Sequence, residues 1–349
     1  MKYRILFLLI LFTNSILAQT YEDGIYLKAK QKFDSYENQH GDFLQTQNAN
    51  IHYLTWGNPS DIPLIWSHGS FSNGYELLHI AEDLVAAGYY LIALDYYGHG
   101  QSSLASEDVS LYHVADDIYF LMNHLNIGKA VIGGWSRGGY ISSAFYDAYP
   151  EHTLGLILED GGSVATNLNY HKLDLDSLER LVTSFDVESY IKSDTIFRSE
   201  KEAFFSLYDP QDSLAQFQLL AWIKQVGMDE WAVNPNLFEL FHHQNSVNIL
   251  NIILRPTNTP LFAASMAMME PKIIFRNLNI PILILDPISH QDLFPFEKEN
   301  ENLKLKYPDL ITLKKYYDTG HNIHSERPLQ FVQDLHDFLK LVKSKFLDQ

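Results

Sequence analysis

This sequence predicts an α/β protein with a mostly parallel sheet, on three observations. Short apolar runs suited to strands buried on both faces alternate with amphipathic stretches of helical spacing. The alternation breaks at Ser163 and resumes at Ile280, as expected when a block of another kind is inserted into one sheet. Between one apolar run and one helical stretch stands Gly134-Trp135-Ser136-Arg137-Gly138, a serine flanked by glycines on a strand-to-helix turn.

The elements follow in order. Lys2 and Arg4 precede an unbroken apolar run, Ile5 to Phe12, and Ala18 stands just before Gln19. This is the pattern of a cleaved export leader over residues 1–18, and the run is short of the roughly 20 residues that span a bilayer. The expected location is therefore periplasmic or secreted. Residues 19–41 read as an N-terminal extension. Asp42 to Gln47 and Ile51 to Trp56 alternate apolar and polar positions and predict an antiparallel pair across Asn48-Ala49-Asn50. Pro63 to Trp66 is a short buried strand, Gly74 to Ala87 a helix and Tyr89 to Leu94 a strand. Tyr112 to Leu125 is an amphipathic helix, and Val131-Ile132 leads to the serine turn. Leu154 to Leu158 is the next strand and ends at Glu159-Asp160-Gly161-Gly162.

Residues 163–278 are rich in aromatics at helical spacing, with helices expected over Leu175–Phe185, Lys201–Tyr208 and Ser213–Val226. They are read as a helical cap over the site, with residues 42–162 and 279–349 forming the core. Ile280 to Leu285 is a strand and Phe296 to Lys306 a helix. Leu310 to Tyr316 is a strand, and Leu329 to Phe346 the last helix.

Composition limits the function classes. The chain has 349 residues, a formal net charge of −18 and no cysteine. Such acidity argues against nucleic acid or an anionic membrane surface as partner. The lack of cysteine excludes disulfides, thiolate nucleophiles, thiolate metal sites and a lipid anchor on cysteine. His242-His243 has no third ligand at metal spacing, and no G-x-G-x-x-G follows the first parallel strand. No cofactor is expected. A small-molecule substrate and a monomer are the working expectations.

A serine hydroxyl becomes a nucleophile only when a base takes its proton, and the base is a histidine held by a carboxylate. Of the 15 histidines, His321 lies in a loop after a strand and before the final helix, in Asp318-Thr-Gly-His321-Asn-Ile-His324-Ser-Glu-Arg-Pro328. That loop opens on the same carboxyl edge of the sheet as Ser136, because parallel strands exit on one side. His324 reads as a surface loop residue. Oxyanion donors are expected from the backbone N–H groups of Ser70, in Ser67-His68-Gly69-Ser70, and of Arg137, with Phe71 as the alternative to Ser70. His68 reads as a structural hydrogen-bonding residue, and Asp95, Gly98, His99 and Gly100 as a tight loop shaping the sheet edge.

With these residues in hand the chain resembles the α/β-hydrolase family. The matching motifs are His68-Gly69, Asp95-Tyr-Tyr-Gly98-His-Gly100-Gln-Ser102, Gly134-Trp-Ser136-Arg-Gly138 and Gly320-His321-x4-Glu326-x-Pro328. The resemblance implies a doubly wound sheet, a cap and a Ser-His-acid triad. For the acid it implies the loop Asp286-Pro-Ile-Ser-His-Gln-Asp292-Leu-Phe-Pro295, with Asp292 ahead of Asp286, and Glu159 and Asp160 behind. The expected chemistry is acyl transfer, with a carboxylic ester as the leading substrate. Proline iminopeptidase-like cleavage is the runner-up, although those enzymes carry Gly-Gly-Ser-Trp-Gly at the turn. Perhydrolase or C–C hydrolase chemistry on the same triad is a third course. A non-catalytic binding protein on the same fold is the reading of another class.

Overall fold

The sheet order explains why the serine turn sits where it does. The computed structural model describes residues 2–184, 195–211, 216–290 and 295–346. The strands that build the main sheet are β1 (Gly41–Gln45), β2 (Asn50–Trp56), β3 (Ile62–Ser67), β4 (Tyr89–Leu94), β5 (Ala130–Trp135) and β6 (Thr153–Glu159). After a two-stranded excursion, β7 (Ile223–Gly227) and β8 (Glu230–Val233), the sheet is completed by β9 (Ile282–Ile288) and β10 (Ile311–Tyr317). The order is β1-β2-β4-β3-β5-β6-β9-β10. β1 and β2 are antiparallel to their neighbours, and from β4 through β10 every pairing is parallel. The predicted α/β class and parallel sheet are therefore present. β5 lies at the centre, with β6 beside it in register Trp135↔Glu159.

The strands form for the reason their sequence suggests. β4 and β6 are buried along their whole length, as both faces are covered by helices. Two apolar clusters sandwich the sheet. One gathers Ile65, Ile92, Ile132, Leu156 and Ile284 under the helix Leu111–His124 and the helix Arg137–Ala148. The other gathers Leu64, Trp66, Leu91, Val131, Ile157 and Leu283 under the C-terminal helix Pro328–Phe346. Ser110 caps the first of these helices with a reciprocal side-chain bond to His113.

Two expectations are corrected. The segment read as a helix over Ser213–Val226 is a 3-10 turn, Phe217–Trp222, followed by β7; residues 212–215 lie outside the described residues. Ile223, Val226, Trp231 and Val233 favour a strand pair, and Asp229 takes a left-handed φ of 55° at the turn between them. The segment between β6 and β9 is thus helical with one β-hairpin among its described residues. The N-terminal extension is also more than a tail. A helix spans Lys2–His40, and from Tyr21 on its described side chains pack on the body. Phe33 is buried, the Tyr36 ring lies 5.1 Å from Phe217, and Glu37 pairs with the buried His52. Tyr26 and Lys30 both bond to Glu200 of the cap.

Candidate active site

The turn after β5 is geometrically demanding. Ser136 has φ 53° and ψ −117°, a conformation that costs a residue with a side chain of order 1–3 kcal/mol. Its neighbours hold it there. The Ser136 N–H donates to the Glu159 carbonyl at 2.8 Å, and the Gly139 N–H to the Ser136 carbonyl at 3.0 Å. A Cβ on Gly138 would run into the Ser67 carbonyl, and one on Gly134 into the backbone of Gly138. Only glycine fits at either place, so the G-x-S-x-G spacing is a packing requirement.

The oxyanion loop follows β3. The N–H of Gly69 donates to the buried Glu76 carboxylate at 2.9 Å, which also takes the Trp66 indole N–H at 2.8 Å. A Cβ on Gly69 would enter the Trp135 ring, so the loop lies directly over the elbow. The N–H groups of Ser70 and Phe71 donate to no described residue. Phe71 sits at φ 61°, which turns the loop toward the helix that starts at Arg137. Ser70 Oγ accepts a hydrogen bond from Arg137 Nε at 3.0 Å. Both predicted oxyanion residues are thus side by side.

β6 supplies the acid that touches His321. Asp160, at φ 43° just past the strand, places Oδ2 on His321 Nδ1, and its own N–H donates to the Leu285 carbonyl at 3.0 Å. His321 is fixed further by its carbonyl, which accepts the Trp135 indole N–H at 2.7 Å, and its ring centre lies 4.9 Å from that indole. Glu326 accepts the Gly320 N–H at 2.9 Å and closes the loop behind it. Ser136, Trp135, Asp160 and His321 therefore form one cluster at the carboxyl edge.

The four acids considered from sequence separate clearly in position. Asp160 is on His321. Glu159 is committed to the other loop histidine: His324 Nδ1 meets both Glu159 oxygens at 2.9 Å, and the His324 N–H donates to one of them. Asp286 stays within β9, opposite Lys315. Asp292 lies outside the described residues. His324 is a correction, since it is buried and not a surface residue. Burial alone would lower its pKa, but the charge and hydrogen bond of Glu159, with Glu76 nearby, outweigh it and raise it.

His68 stacks on Tyr96 at 4.0 Å and donates from Nδ1 to the Gly69 carbonyl; burial lowers its pKa to about 4. This is the structural role its motif suggested. The loop Asp95–Ser102 is likewise a bracket. Asp95 accepts from Gln101 N–H and from His52 Nδ1, and Gly98 and Gly100 take φ of 76° and 46°. Sequence reasoning missed the Glu159–His324 pair. The available signal was the doublet Glu159-Asp160 at the exit of the strand adjacent to the nucleophile, facing two histidines three residues apart.

Comparisons with known proteins bear on the fold and the family. The family model described as alpha/beta hydrolase fold matches residues 62–200. The proline iminopeptidase of Neisseria gonorrhoeae is 28% identical over 130 residues, covering 34% of this chain and 39% of that protein. The sn-1-specific diacylglycerol lipase of Danio rerio is 22% identical over 286 residues, covering 81% and 80%. A carboxylesterase structure from Nitrososphaera gargenis superposes with a TM-score of 0.58 at 18% identity, covering 87% of this chain and 99% of that one, a likeness of fold. The chain spans 33 to 39% of the length of the first curated relatives it matches.

Proposed function

The chain carries the α/β-hydrolase fold, and from it we propose that this protein is an exported serine hydrolase that cleaves a carboxylic ester of a small molecule. The observation that carries the proposal is the Asp160–His321 pair set against the strained Ser136 elbow. Ser136 Oγ attacks the ester carbonyl and gives its proton to His321 Nε2. Asp160 holds the Nδ1–H and stabilises the imidazolium. The N–H groups of Ser70 and Arg137 receive the oxyanion, at the end of a helix whose first N–H groups have no partner inside it. The alkoxide leaves with the proton from His321. Water then adds to the acyl-enzyme, again through His321, and Ser136 departs with that proton. Residues 1–18 act as the leader, and a mature protein whose N-terminal sequence starts at Gln19 checks that step.

The peptidase course needs a cap carboxylate to hold a free amine. Glu200 is already taken by Tyr26 and Lys30, and Glu202 accepts the Arg198 N–H. Two of the acids in that segment are thus engaged. The test is turnover of short p-nitrophenyl esters together with labelling by a fluorophosphonate probe. Wild type should label and turn over; Ser136→Ala should lose both, with kcat down by about 10⁴-fold or more. A folded wild-type protein that does neither is a binding module instead.

A further inference from the structure

Arg137 is a buried cation that pairs with no carboxylate among the described residues. Its residue is 2% exposed in an acidic chain of net charge −18. The guanidinium lies over the Phe241 ring at 4.4 Å and the Phe262 ring at 5.5 Å, both from the cap. Nε donates to Ser70 Oγ at 3.0 Å and Nη1 to the Phe262 carbonyl at 3.5 Å. No carboxylate of a described residue pairs with it, and the groups felt as its electrostatic neighbours are Tyr96 and Tyr140. Burial pulls its pKa below the ordinary arginine value. Its charge reaches the half-buried His243, whose pKa is held down to about 4 by burial first and by Arg137 second.

A buried guanidinium without a carboxylate is expensive, because aromatic faces return only part of its desolvation cost. Arg137 Nη2 makes no hydrogen bond to a described residue. The guanidinium lies between Ser70 of the loop after β3 and the rings of Phe241 and Phe262. Its Cα is one residue from that of Ser136, about 3.8 Å along the backbone.

We infer that Arg137 is a substrate-specificity residue, and that the preferred substrate is an ester bearing its own carboxylate, which docks on the Arg137 guanidinium between oxyanion loop and cap. The inference rests on the serine-hydrolase reading above. It supplies the missing anion at the moment of binding, with a planar donor pair suited to a carboxylate. Half-esters of dicarboxylic acids carry the anion on the acyl side; an ester of a hydroxy acid carries it on the alcohol side.

The test compares kcat/KM for p-nitrophenyl hemiglutarate with that for p-nitrophenyl valerate, in wild type, Arg137→Gln and Arg137→Lys. The alcohol-side arm compares the butyrate ester of glycolic acid with methyl butyrate. Wild type should prefer the acid-bearing member of one pair by about tenfold or more, the scale of a charge-assisted hydrogen bond. Arg137→Gln should erase that ratio, and Arg137→Lys should keep part of it. The ratio is internal, so a variant that merely damages the site lowers both rates and leaves the preference intact. A neutral or inverted ratio in wild type overturns the inference while leaving the hydrolase standing. Absence of both turnover and fluorophosphonate labelling removes the hydrolase itself. Calorimetry with monomethyl glutarate on Ser136→Ala reads the same contact without turnover; binding equal to that of Ser136→Ala/Arg137→Gln also overturns it.

Discussion

Two histidine–carboxylate pairs stand at the exit of β6, and they differ in one respect that separates chemistry from structure. Glu159 and Asp160 are neighbours in sequence, as nearly are His321 and His324, and Trp135 lies between the rings at 4.9 and 5.4 Å. Glu159 still belongs to the strand, and its pair is sealed, with side chains 0% and 4% exposed. Asp160 has left the strand at a positive φ, and its partner His321 is 22% exposed. A sealed pair can only brace; a half-open one can meet a substrate. The Glu159–His324 pair accordingly reads as the brace that fixes the loop on which His321 is carried.

The largest effect should come from the open pair. Asp160→Asn is expected to lower kcat on p-nitrophenyl esters by about 10⁴-fold while leaving the melting temperature nearly unchanged, because the imidazole loses its orienting anion but not its packing. Asp292→Asn measured beside it should stay within a few-fold of wild type. If the two outcomes are exchanged, the acid is Asp292 and the Asp160 contact is structural. The sealed pair should respond in the opposite sense. Glu159→Ala leaves the buried His324 ring and a loop N–H without partners, and is expected to cost about 2–5 kcal/mol in denaturant unfolding. Activity per folded molecule should fall far less than in Asp160→Asn. A stable Glu159→Ala with dead kinetics would erase the distinction between the pairs.

Much of this was legible in the sequence because local rules and tertiary packing agree there. β4 coincides with the apolar run Tyr89–Leu94, and Ser136 sits where a glycine-flanked turn must lie. That Asp160 touches His321 was not legible, since it depends on how a strand ends: one residue past Glu159, φ turns positive and the carboxylate swings from the core to His321. The β7–β8 hairpin was hidden for a related reason. Its apolar residues sit at spacings compatible with a helix, and only packing of Ile223 and Val233 against the second cluster selects the strand. Arg137 looked like a backbone donor alone, because a sequence does not say whether a cation is buried.

The smallest and sharpest separation of the two pairs is by pH. The His324 pKa is raised above the ordinary 6.5 by Glu159 and Glu76, so its pairing stabilises the fold fully below pH 6.5 and is lost as pH rises through the folded value. His52, bound between Asp95 and Glu37 and raised to about 9, acts in the same direction and loses its contribution as pH climbs toward 9. His68 and His243, both lowered to about 4, act on the other side: their burial is tolerated above 6.5 and opposes folding as pH falls toward 4. Unfolding free energy should therefore peak near neutrality and decline on the alkaline limb by at most about 1.4 kcal/mol per pH unit for each proton. Glu159→Gln should flatten that limb just above pH 6.5. A stability profile left unaltered by Glu159→Gln would mean that the sealed pair does not set the alkaline limb.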